Sequence, residues 1–466
     1  MNELLDQARR LAGAFLDTVD TRPVFPALRF QELVTSLGDR LPDRGEDPAA
    51  IVDRLAGIAQ QGLVATPGPR YFGFVTGGSL PAAVAADWLT TAWDQNAALN
   101  VMSPFSAAVE HVAANWLLDV LGLPPAASVG FVTGATMANV TGLAAARHEV
   151  LRRVGWDVEA HGLQGAPTVT VVAGAEAHSS LRSAVRLVGL GASNIVAVSA
   201  DDQGRMIADA LRRVVEDVTG PVIVCAQSGN VNTGAFDPLE AIVEVTHAKG
   251  GWVHVDGAFG LWAGASPSLK HLVTGAAAAD SWALDGHKWL NVPYDCGFAI
   301  VAHPAAHRAA MSQTAAYLLA AEGEERDGMD WTPEASRRAR GNAVYAALCS
   351  LGRRGVAELV DRCCACARRF ADGMRDEPGI DVLNDVVLNQ VLLRFRSATG
   401  ENITRDVAAA IQQSGVLWAG GTTARGEPAL RVSVSGWKTT ETDVDRSVST
   451  LLAAHRRRSN PTVSVS

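Results

Sequence analysis

Two residues that follow mostly apolar runs carry side chains with complementary chemistry. Asp256 comes directly after residues 252–255, and Lys288 follows the next such run, directly after His287. A buried carboxylate keeps a protonated ring nitrogen charged, and a lysine amine forms a Schiff base with an aldehyde carbon. Pyridoxal phosphate needs both functions from its protein, so this pair is a candidate cofactor site.

The same residue types also have an ordinary structural explanation. A carboxylate at a strand end commonly accepts a hydrogen bond within a turn, and a lysine is usually solvated at the surface. For an arbitrary Asp and Lys this explanation is the stronger one, so the remainder of the chain has to distinguish the two.

The elements that position the pair alternate between strand and helix patterns. Short apolar runs separated by helical patterns lie at residues 168–172, 195–198, 221–224, 252–255, 280–283 and 298–301. Such runs are typical of a mostly parallel sheet that helices cover on both faces. Ligands bind outside the carboxyl ends of the strands in these sheets, which is where Asp256 and Lys288 lie.

A turn of small residues upstream could bind a phosphate. Gly134, Ala135 and Thr136 follow an apolar run and precede a helical pattern at residues 137–152. A helix start exposes backbone N–H groups and the positive end of the helix dipole, which favours an anion. An ordinary helix start with a threonine cap explains the same residues, so this turn alone is a weak signal.

The composition excludes several classes of protein. The chain has 466 residues with 48% hydrophobic and 19% charged residues, as in ordinary soluble globular proteins. A net charge of -9 argues against nucleic-acid binding, which needs clustered basic residues. The N-terminal segment is amphipathic rather than a signal peptide, and no stretch reaches the ~20 apolar residues of a membrane span. We therefore expect a cytoplasmic protein with no membrane partner.

The clustered cysteines do not indicate a metal site. Cys363, Cys364 and Cys366 lie in a helical pattern without a neighbouring histidine, whereas zinc ligands usually come as two separated pairs. We expect buried, reduced cysteines and no bound metal.

The changes of pattern along the chain predict four parts. Residues 1–65 form a helical arm, which we expect to pack on a partner subunit or on the main domain. Residues 66–345 form a large α/β domain, and residues 346–455 form a small α+β domain. We expect residues 456–466 to be a disordered tail.

These motifs together resemble the group II pyridoxal phosphate-dependent amino acid decarboxylases. The likeness extends from Pro69 to Ser433, and the separate motifs occur in the order and spacing of that family. The resemblance implies the fold type I architecture, with a mostly parallel seven-stranded sheet flanked by helices. It also implies a pyridoxal 5'-phosphate cofactor, an amino acid substrate and a homodimer.

The resemblance assigns roles to the cofactor-binding residues. Lys288 matches the Schiff-base lysine, His287 a histidine that helps to hold the phosphate, and Asp256 the carboxylate paired with the pyridine nitrogen. Ala258 matches a small residue packed against the ring, and His178 an imidazole stacked over it. The phosphate would be bound by Gly134, Ala135 and Thr136. Asn232 or Asn230, in the loop of residues 228–237, would bond the ring hydroxyl.

Tyr317 bears on the type of reaction. It matches the mobile-loop tyrosine that protonates Cα after carbon dioxide has left, and relatives that produce aldehydes typically have phenylalanine there. Without the family spacing it would be an ordinary aromatic on a helix surface. The tyrosine favours simple decarboxylation over an aldehyde-forming oxidative decarboxylation or a carbon–carbon lyase reaction. A catalytically idle binding protein is the alternative outside enzymes.

The substrate pocket departs from the better-known members. Alignment places in it Phe74, Val75, Thr76, Asn96 and Ala98, some of which would face the partner subunit's site. Ala98 replaces a large aromatic residue, which leaves room for a bulky substrate, while Asn96 adds a polar group. We expect an aromatic or large apolar amino acid. A second departure is Asp285, three residues before Lys288, where a Ser/Asn-Pro or similar dipeptide is familiar.

Overall fold

The computed structural model describes residues 1–26, 28–38, 40–313 and 325–459. The helices, in chain order, are α1 (Asn2–Thr18), α2 (Phe30–Leu37), α3 (Pro48–Gly62), α4 (Pro81–Trp93), α5 (Pro104–Leu121), α6 (Ala135–Arg152), α7 (Val158–His161), α8 (Ser179–Leu187), α9 (Ala208–Asp217), α10 (Leu239–Ala248), α11 (Pro304–Met311), α12 (Gly341–Arg375), α13 (Thr404–Ser414) and α14 (Glu441–Ser459). The strands are β1 (Ser128–Val132), β2 (Thr170–Gly174), β3 (Ile195–Val198), β4 (Val222–Gln227), β5 (Trp252–Asp256), β6 (Ser281–Asp285), β7 (Gly297–Val301), β8 (Ile380–Val382), β9 (Gln390–Phe395), β10 (Gly420–Ala424) and β11 (Glu427–Ser433).

The chain forms two compact units. One contains residues 77–367 together with 384–390, and we call it the sheet unit. The other contains residues 1–76, 368–383 and 391–466, and we call it the terminal unit because it includes both ends of the chain.

A seven-stranded sheet organises the sheet unit. Its strand order is β1-β7-β6-β5-β4-β2-β3. β2 to β6 pair in parallel wherever they are neighbours, and β7 is antiparallel to both β1 and β6. The predicted mostly parallel α/β sheet of the fold type I architecture is therefore confirmed. Its carboxyl-terminal edge collects the ends of β4, β5 and β6.

The central strands are apolar because helices cover them. β1, β4, β5, β6 and β7 are buried along their whole length, which explains their near-continuous apolar sequences. Helix α6 packs against β5, β6 and β7 and buries a run of small residues against them. This helix and the ends of β5 and β6 position the candidate site.

The predicted strands agree with the observed ones, with shifts at their ends. β3 has the predicted bounds, whereas β6 runs to Asp285 instead of ending at Ala283. The extension arises because Leu284 and Asp285 pair with Phe298 and Gly297 of β7. Asp285 is consequently a strand-end carboxylate, as Asp256 is on the neighbouring strand.

The terminal unit combines a small sheet with helices. Its four strands have the order β10-β11-β9-β8, with antiparallel pairing of β10 with β11 and of β8 with β9. Helix α13 packs on β10 and β11, and α14 packs on α13. Strands mixed with helices agree with the α+β character predicted for this part of the chain.

The two units divide the chain differently from the predicted domains. The predicted arm, residues 1–65, belongs to the same unit as the C-terminal segments instead of standing apart. Buried Arg70 explains this, since its guanidinium pairs with Asp443 at 2.8 Å and donates to the carbonyls of Val416 and Asp20. A buried charge needs such partners, and here they come from both ends of the chain.

The C-terminal end also differs from the prediction. Disorder was expected from residue 456, but α14 continues to Ser459. Arg456 forms two hydrogen bonds with the carboxylate of Glu377, at 2.8 and 2.7 Å, and a bidentate pair of this kind favours an ordered last turn. Residues 460–466 of the predicted tail lie outside the described residues.

The described residues also bear on the cysteines and on membrane insertion. Cys363, Cys364 and Cys366 are buried in α12, which confirms the prediction of buried helix cysteines. In the part of the chain that the structure describes, no helix has the length and apolar character that a membrane crossing requires.

Candidate active site

A cavity of about 420 Å³ opens at the carboxyl-terminal edge of the large sheet. Its lining consists of Thr133, Gly134, Ala135, Thr136, Met137, His178, Ser180, Gln227, Gly229, Val231, Asp256, Ala258, Phe259, Asp285, His287, Lys288 and Tyr294. The volume lies in the range of small-molecule sites, ~300–1,000 Å³. The structure therefore brings Lys288, Asp256, His178, His287, Ala258 and the phosphate turn around one space.

Lys288 is paired with a carboxylate that comes from the same strand end. Its Nζ lies 2.8 Å from Oδ2 of Asp285, and the lysine side chain is 19% exposed. The ring of Phe259 lies beside it, with 6.0 Å between Nζ and the ring centroid. The amine is thus held at the cavity wall and remains accessible from the cavity.

The phosphate turn is the first turn of α6. Gly134 is the residue before the helix, and Ala135 and Thr136 begin it, so their N–H groups have no intrahelical acceptor. The N–H of Ala135 donates to Oδ1 of Asp285 at 2.6 Å. A carboxylate thus accepts from one N–H group of this helix start, and phosphate binding by the turn stays a prediction.

Gly134 has to be small because two side chains approach it closely. A Cβ at this position would lie 3.1 Å from Cε1 of His287 and 3.2 Å from Oδ1 of Asp285. Any larger residue would push both side chains away from the helix start.

His287 is fixed beside this turn by contacts on both sides of its ring. Its Nδ1 accepts from the N–H of Cys296 at 3.1 Å, and its Nε2 lies 3.4 Å from Oδ1 of Asp285. The ring stacks on Tyr294 with 4.2 Å between centroids. Burial lowers the pKa of His287, although the charge of Asp285 opposes this effect.

Asp256 lies at the end of β5 and is 6% exposed. Its Oδ1 accepts from the N–H of Ala258 at 3.2 Å, and its Oδ2 accepts from Nδ2 of Asn139 at 3.1 Å. Hydrogen bonds to both oxygens fix the orientation of the carboxylate. Asp256 can therefore face the cavity in a single orientation.

His178 caps helix α8 at the mouth of the cavity. Its Nδ1 accepts from the N–H of Ser180 at 3.2 Å and lies 2.7 Å from the Ser180 hydroxyl. The backbone N–H of His178 donates to Oε1 of Gln227, at the end of β4. The imidazole is thus oriented by its neighbours and lines the cavity, and its stacking over a cofactor ring stays a prediction.

The loop of residues 228–237 contributes Gly229 and Val231 to the cavity lining. Neither asparagine predicted for a ring hydroxyl is part of that lining. The side chain of Asn230 accepts from the N–H groups of Asn232 and Thr233, at 2.9 and 3.2 Å. It organises the turn of the loop, and a contact of Asn232 with a cofactor stays a prediction.

The predicted substrate residues occupy different parts of the chain. In the sheet unit, Asn96 accepts with Oδ1 from the N–H groups of Ala98 and Arg337, both at 3.1 Å, and Ala98 is buried. Neither lines the cavity around Lys288. Phe74, Val75 and Thr76 belong to the terminal unit.

Tyr317, the predicted proton donor, lies outside the described residues. The next described residue is Glu325, whose carboxylate accepts from Nδ2 of Asn100 at 2.9 Å. Asp327 accepts from the N–H of Asn100 at 2.7 Å, and Arg326 donates to the carbonyl of Val129.

Residue patterns missed several members of the site. Asp285 was noted only as a departure, and Asn139, Phe259 and Tyr294 were not predicted as site residues. A usable signal existed for Asp285, because a carboxylate three residues before a candidate lysine can reach it. Asn139 lies one turn into α6 and gives no local signal, because its role depends on contact with β5.

The side chains fit pyridoxal 5'-phosphate. The cavity offers an amine for the aldehyde carbon, a buried carboxylate for the pyridine nitrogen, and a helix start for the phosphate. Gly134 leaves room beside that helix start for the side chains of His287 and Asp285. Lys288, Asp256 and the turn of Gly134, Ala135 and Thr136 are the groups that would hold it.

Comparison with known proteins agrees with a pyridoxal phosphate cofactor. A profile described as the pyridoxal-dependent decarboxylase conserved domain matches residues 31–396. An aromatic-L-amino-acid decarboxylase from Bacillus atrophaeus is 28% identical over 65% of this chain and 61% of its own length. An L-2,4-diaminobutyrate decarboxylase from Rhizobium meliloti is 28% identical over 81% of this chain and 76% of its own. The chain thus spans about three fifths of the first relative's length.

Other relatives differ in product, and solved structures share the fold. A phenylacetaldehyde synthase from a Rosa hybrid cultivar is 27% identical over 72% of this chain and 67% of its own. A crystal structure of Oryza sativa TDC with PLP and tryptamine superposes with a TM-score of 0.92, at 23% identity and 98% coverage of both chains. The site, the fold and the matched profile lead to one conclusion: the chain belongs to the pyridoxal-dependent decarboxylase family.

Proposed function

We propose that the protein is a pyridoxal phosphate-dependent carboxy-lyase that converts an L-amino acid to the corresponding amine and carbon dioxide. The observation that carries this proposal is the convergence of Lys288, Asp256 and the first turn of α6 on one cavity. Membership of the decarboxylase family supports the same reaction.

The residues around the cavity divide the work of this reaction. When bound, the cofactor supplies an electron sink for the bond between Cα and the carboxylate. Lys288 would bind the aldehyde carbon, and Asp256 would keep the pyridine nitrogen protonated. His178 would hold one face of the ring, and Tyr317 would donate a proton to Cα after carbon dioxide has left.

An aromatic or large apolar amino acid is the proposed substrate. Phe259, Val231 and Met137 give the cavity an apolar wall. Relatives named for aromatic amino acids and for tryptophan support this class, whereas the acidic amino acid and diaminobutyrate decarboxylases define the competing classes. Ala98, Asn96 and residues 74–76 stay the proposed substrate contacts.

Backbone geometry supports a role for residues 74–76. Phe74 and Val75 have φ angles of 53° and 59°, a region that branched side chains such as valine rarely adopt. Strain of this kind clusters at functional sites. Phe74 is 61% exposed and stacks on the half-buried Trp418 at 5.3 Å between ring centroids.

A homodimer is proposed as the assembled form. Exposed apolar side chains on and between α4 and α5 include those of Trp88, Leu89, Trp93, Val101, Met102 and Phe105, and the rings of Trp93 and Phe105 contact each other at 5.6 Å between centroids. Clustered exposed apolar residues mark interaction sites, and a second copy is the partner that the family resemblance implies. Light scattering should give twice the mass of one chain, and Phe105→Glu should shift it towards the monomer.

A substrate screen tests the proposed reaction. The purified protein with added pyridoxal phosphate is incubated with tryptophan, tyrosine, phenylalanine, glutamate and 2,4-diaminobutyrate, and carbon dioxide and amine are measured. Equal amounts of both from an aromatic substrate, and none from Lys288→Ala, are expected. No carbon dioxide from any amino acid would contradict the proposal.

The aldehyde-forming alternative is distinguished by the product. The aldehyde-forming reaction is the alternative because a phenylacetaldehyde synthase is among the relatives. Aldehyde with hydrogen peroxide as the main product would replace the amine-forming reaction. Tyr317→Phe should divert the product from amine towards aldehyde, and an unaltered product ratio would contradict the protonation role of Tyr317.

A further inference from the structure

A buried chain of polar groups leads away from Asp256 into the core of the sheet unit. Asn139 donates with Nδ2 to Oδ2 of Asp256, and its own Oδ1 lies 2.8 Å from Nε2 of His254. Nδ1 of His254 lies 2.8 Å from the hydroxyl of Ser281, which also accepts from Nε1 of Trp252 at 2.8 Å. We call these four residues, Asn139, His254, Ser281 and Trp252, the Asp256 relay.

The relay has a single direction. Asn139 donates with Nδ2 to Asp256, so its Oδ1 is an acceptor and Nε2 of His254 carries the proton that is donated to it. A neutral imidazole protonated at Nε2 accepts at Nδ1, so the Ser281 hydroxyl donates to Nδ1 of His254. The Ser281 oxygen in turn accepts from the indole N–H of Trp252, which can only donate.

Burial keeps every member of the relay in this state. Asn139, His254, Ser281 and Trp252 all have 0% exposure. Burial lowers the pKa of His254 to about 4, with the charge of Asp256 opposing this effect, so the imidazole is neutral at physiological pH. Water cannot replace any of these hydrogen bonds, because no member reaches the solvent.

The regular side-chain spacing along β5 and α6 brings the residues of the relay together. Trp252, His254 and Asp256 alternate along β5 and thus point to one face of the sheet. Asn139 and Gly142 stand three residues apart on α6, on one face of that helix. A Cβ at Gly142 would lie 2.7 Å from Cε1 of His254 and 2.9 Å from its Nδ1. The glycine thus allows the imidazole to lie between helix and sheet.

We propose that Asn139 and His254 are positioning residues that hold the Asp256 carboxylate in a single orientation, as the partner for the pyridine nitrogen of the cofactor. The proposal rests on the proposed function, in which Asp256 faces that nitrogen. Neither residue touches the cavity, so they act through Asp256 alone. Loss of the relay should weaken the binding of a ligand that carries the ring nitrogen more than one that lacks it.

The difference between two ligands is therefore the measurement that tests the relay. The first is pyridoxal phosphate, and the second is its benzaldehyde analogue, in which carbon replaces the ring nitrogen. Both carry the aldehyde for Lys288 and the phosphate for the helix start. Their dissociation constants are measured by absorbance titration of the purified full-length protein, so catalytic turnover is not needed.

Asn139→Leu removes the donor to Asp256 at similar volume. A hydrogen bond to a charged group is worth ~1.5–3 kcal/mol, so pyridoxal phosphate should bind roughly tenfold to hundredfold more weakly. The benzaldehyde analogue should bind within about threefold of its affinity for the unaltered protein. Ser281→Ala, which removes the group that fixes the tautomer of His254, should act in the same direction and serves if Asn139→Leu does not fold.

Thr141→Val is the matched control. Thr141 lies on the same helix, its hydroxyl is buried, and that oxygen has no hydrogen-bond partner in the described structure. The control should leave both dissociation constants unchanged. The positioning role would be overturned if Asn139→Leu and Ser281→Ala weakened the binding of both ligands equally, or weakened the binding of neither. If the unaltered protein bound neither ligand, the proposed function itself would fail.

Discussion

At the residue scale, two carboxylates and one amine at the ends of two neighbouring strands define the site. Asp256 ends β5 and Asp285 ends β6, and Lys288 follows three residues later. The two carboxylates have different partners, because Asp256 accepts from Asn139 and Asp285 pairs with Lys288. Asp256 can therefore face a ring nitrogen, whereas Asp285 occupies the phosphate turn.

Asp285→Asn should strengthen cofactor binding. In the structure the carboxylate occupies the N–H of Ala135, at the helix start that would hold the phosphate, and two anions in a buried site repel each other. We expect the dissociation constant for pyridoxal phosphate to fall by about tenfold, since an amide removes the charge at nearly constant shape. Absorbance titration measures this constant.

The control for that variant is Asp295→Asn. Asp295 pairs with Arg340 at 2.8 Å, its side chain is 44% exposed, and it does not line the cavity. The substitution changes the net charge equally and should leave the dissociation constant unchanged. Weaker binding of pyridoxal phosphate by Asp285→Asn would show that the carboxylate assists the phosphate instead of competing with it.

At the element scale, the packing of α6 on β5 and β6 determines whether Asp256 and the phosphate turn belong to one site. The helix starts at the turn and carries Asn139 and Gly142 one and two turns later. Strand periodicity predicted β5 and the position of Asp256 because a buried strand has a continuous apolar pattern. It did not predict the contact of Asn139 with His254, which joins residues far apart in the chain.

Gly142→Ala should destabilise the protein and disturb cofactor binding together. The added methyl group would meet the imidazole of His254 at well under van der Waals distance, and overpacking of a core costs ~1–3 kcal/mol. Urea denaturation should show this loss in the free energy of unfolding, and the dissociation constant for pyridoxal phosphate should rise.

Gly57→Ala is the control at this scale. Gly57 lies in α3, and a Cβ there would meet no atom within 4 Å. Alanine in a helix is ~1 kcal/mol more favourable than glycine, so this variant should be at least as stable as the parent. If Gly142→Ala were as stable as Gly57→Ala and bound cofactor normally, the close packing of His254 would be refuted.

At the scale of the whole molecule, residue patterns predict the large sheet but not the division of the chain into two units. The α/β alternation, the mostly parallel sheet and the convergence of Asp256 and Lys288 follow from local periodicity and the rule for ligand sites in such sheets. The inclusion of residues 1–76 in the terminal unit does not, because it depends on the buried pair of Arg70 and Asp443. Pairing between distant residues has no local signature.

Stability should fall as the pH falls from 6 to 5. Burial lowers the pKa of His254 from 6.5 to about 4 and that of His307 from 6.5 to about 3. In this window the unfolded chain binds a proton at each histidine that the folded chain does not, so acid favours unfolding. Burial raises the pKa of Asp237 from 3.8 to about 6, so there the folded chain binds the extra proton, which opposes the histidines.

Among these three groups the unfolded chain binds about one more proton, and burial also lowers the pKa of His287, which acts in the same direction. The three groups together should lower the free energy of unfolding by about 1.4 kcal/mol between pH 6 and pH 5. Urea denaturation in this range measures the decrease, and His307→Gln, which removes one of the histidines, should make it smaller by roughly 1 kcal/mol. A parent protein whose stability rose towards pH 5 would contradict the neutral state of both histidines.

The central claim is that Lys288 is the residue that binds the aldehyde of pyridoxal phosphate. The chain contains only three other lysines, Lys249, Lys270 and Lys438, which makes the attachment site unambiguous. The protein is incubated with pyridoxal phosphate, reduced with borohydride, digested and analysed by peptide mass spectrometry. The mass increment should lie on the peptide that contains Lys288 and should vanish in Lys288→Ala. An increment on another lysine, or none, would contradict the account.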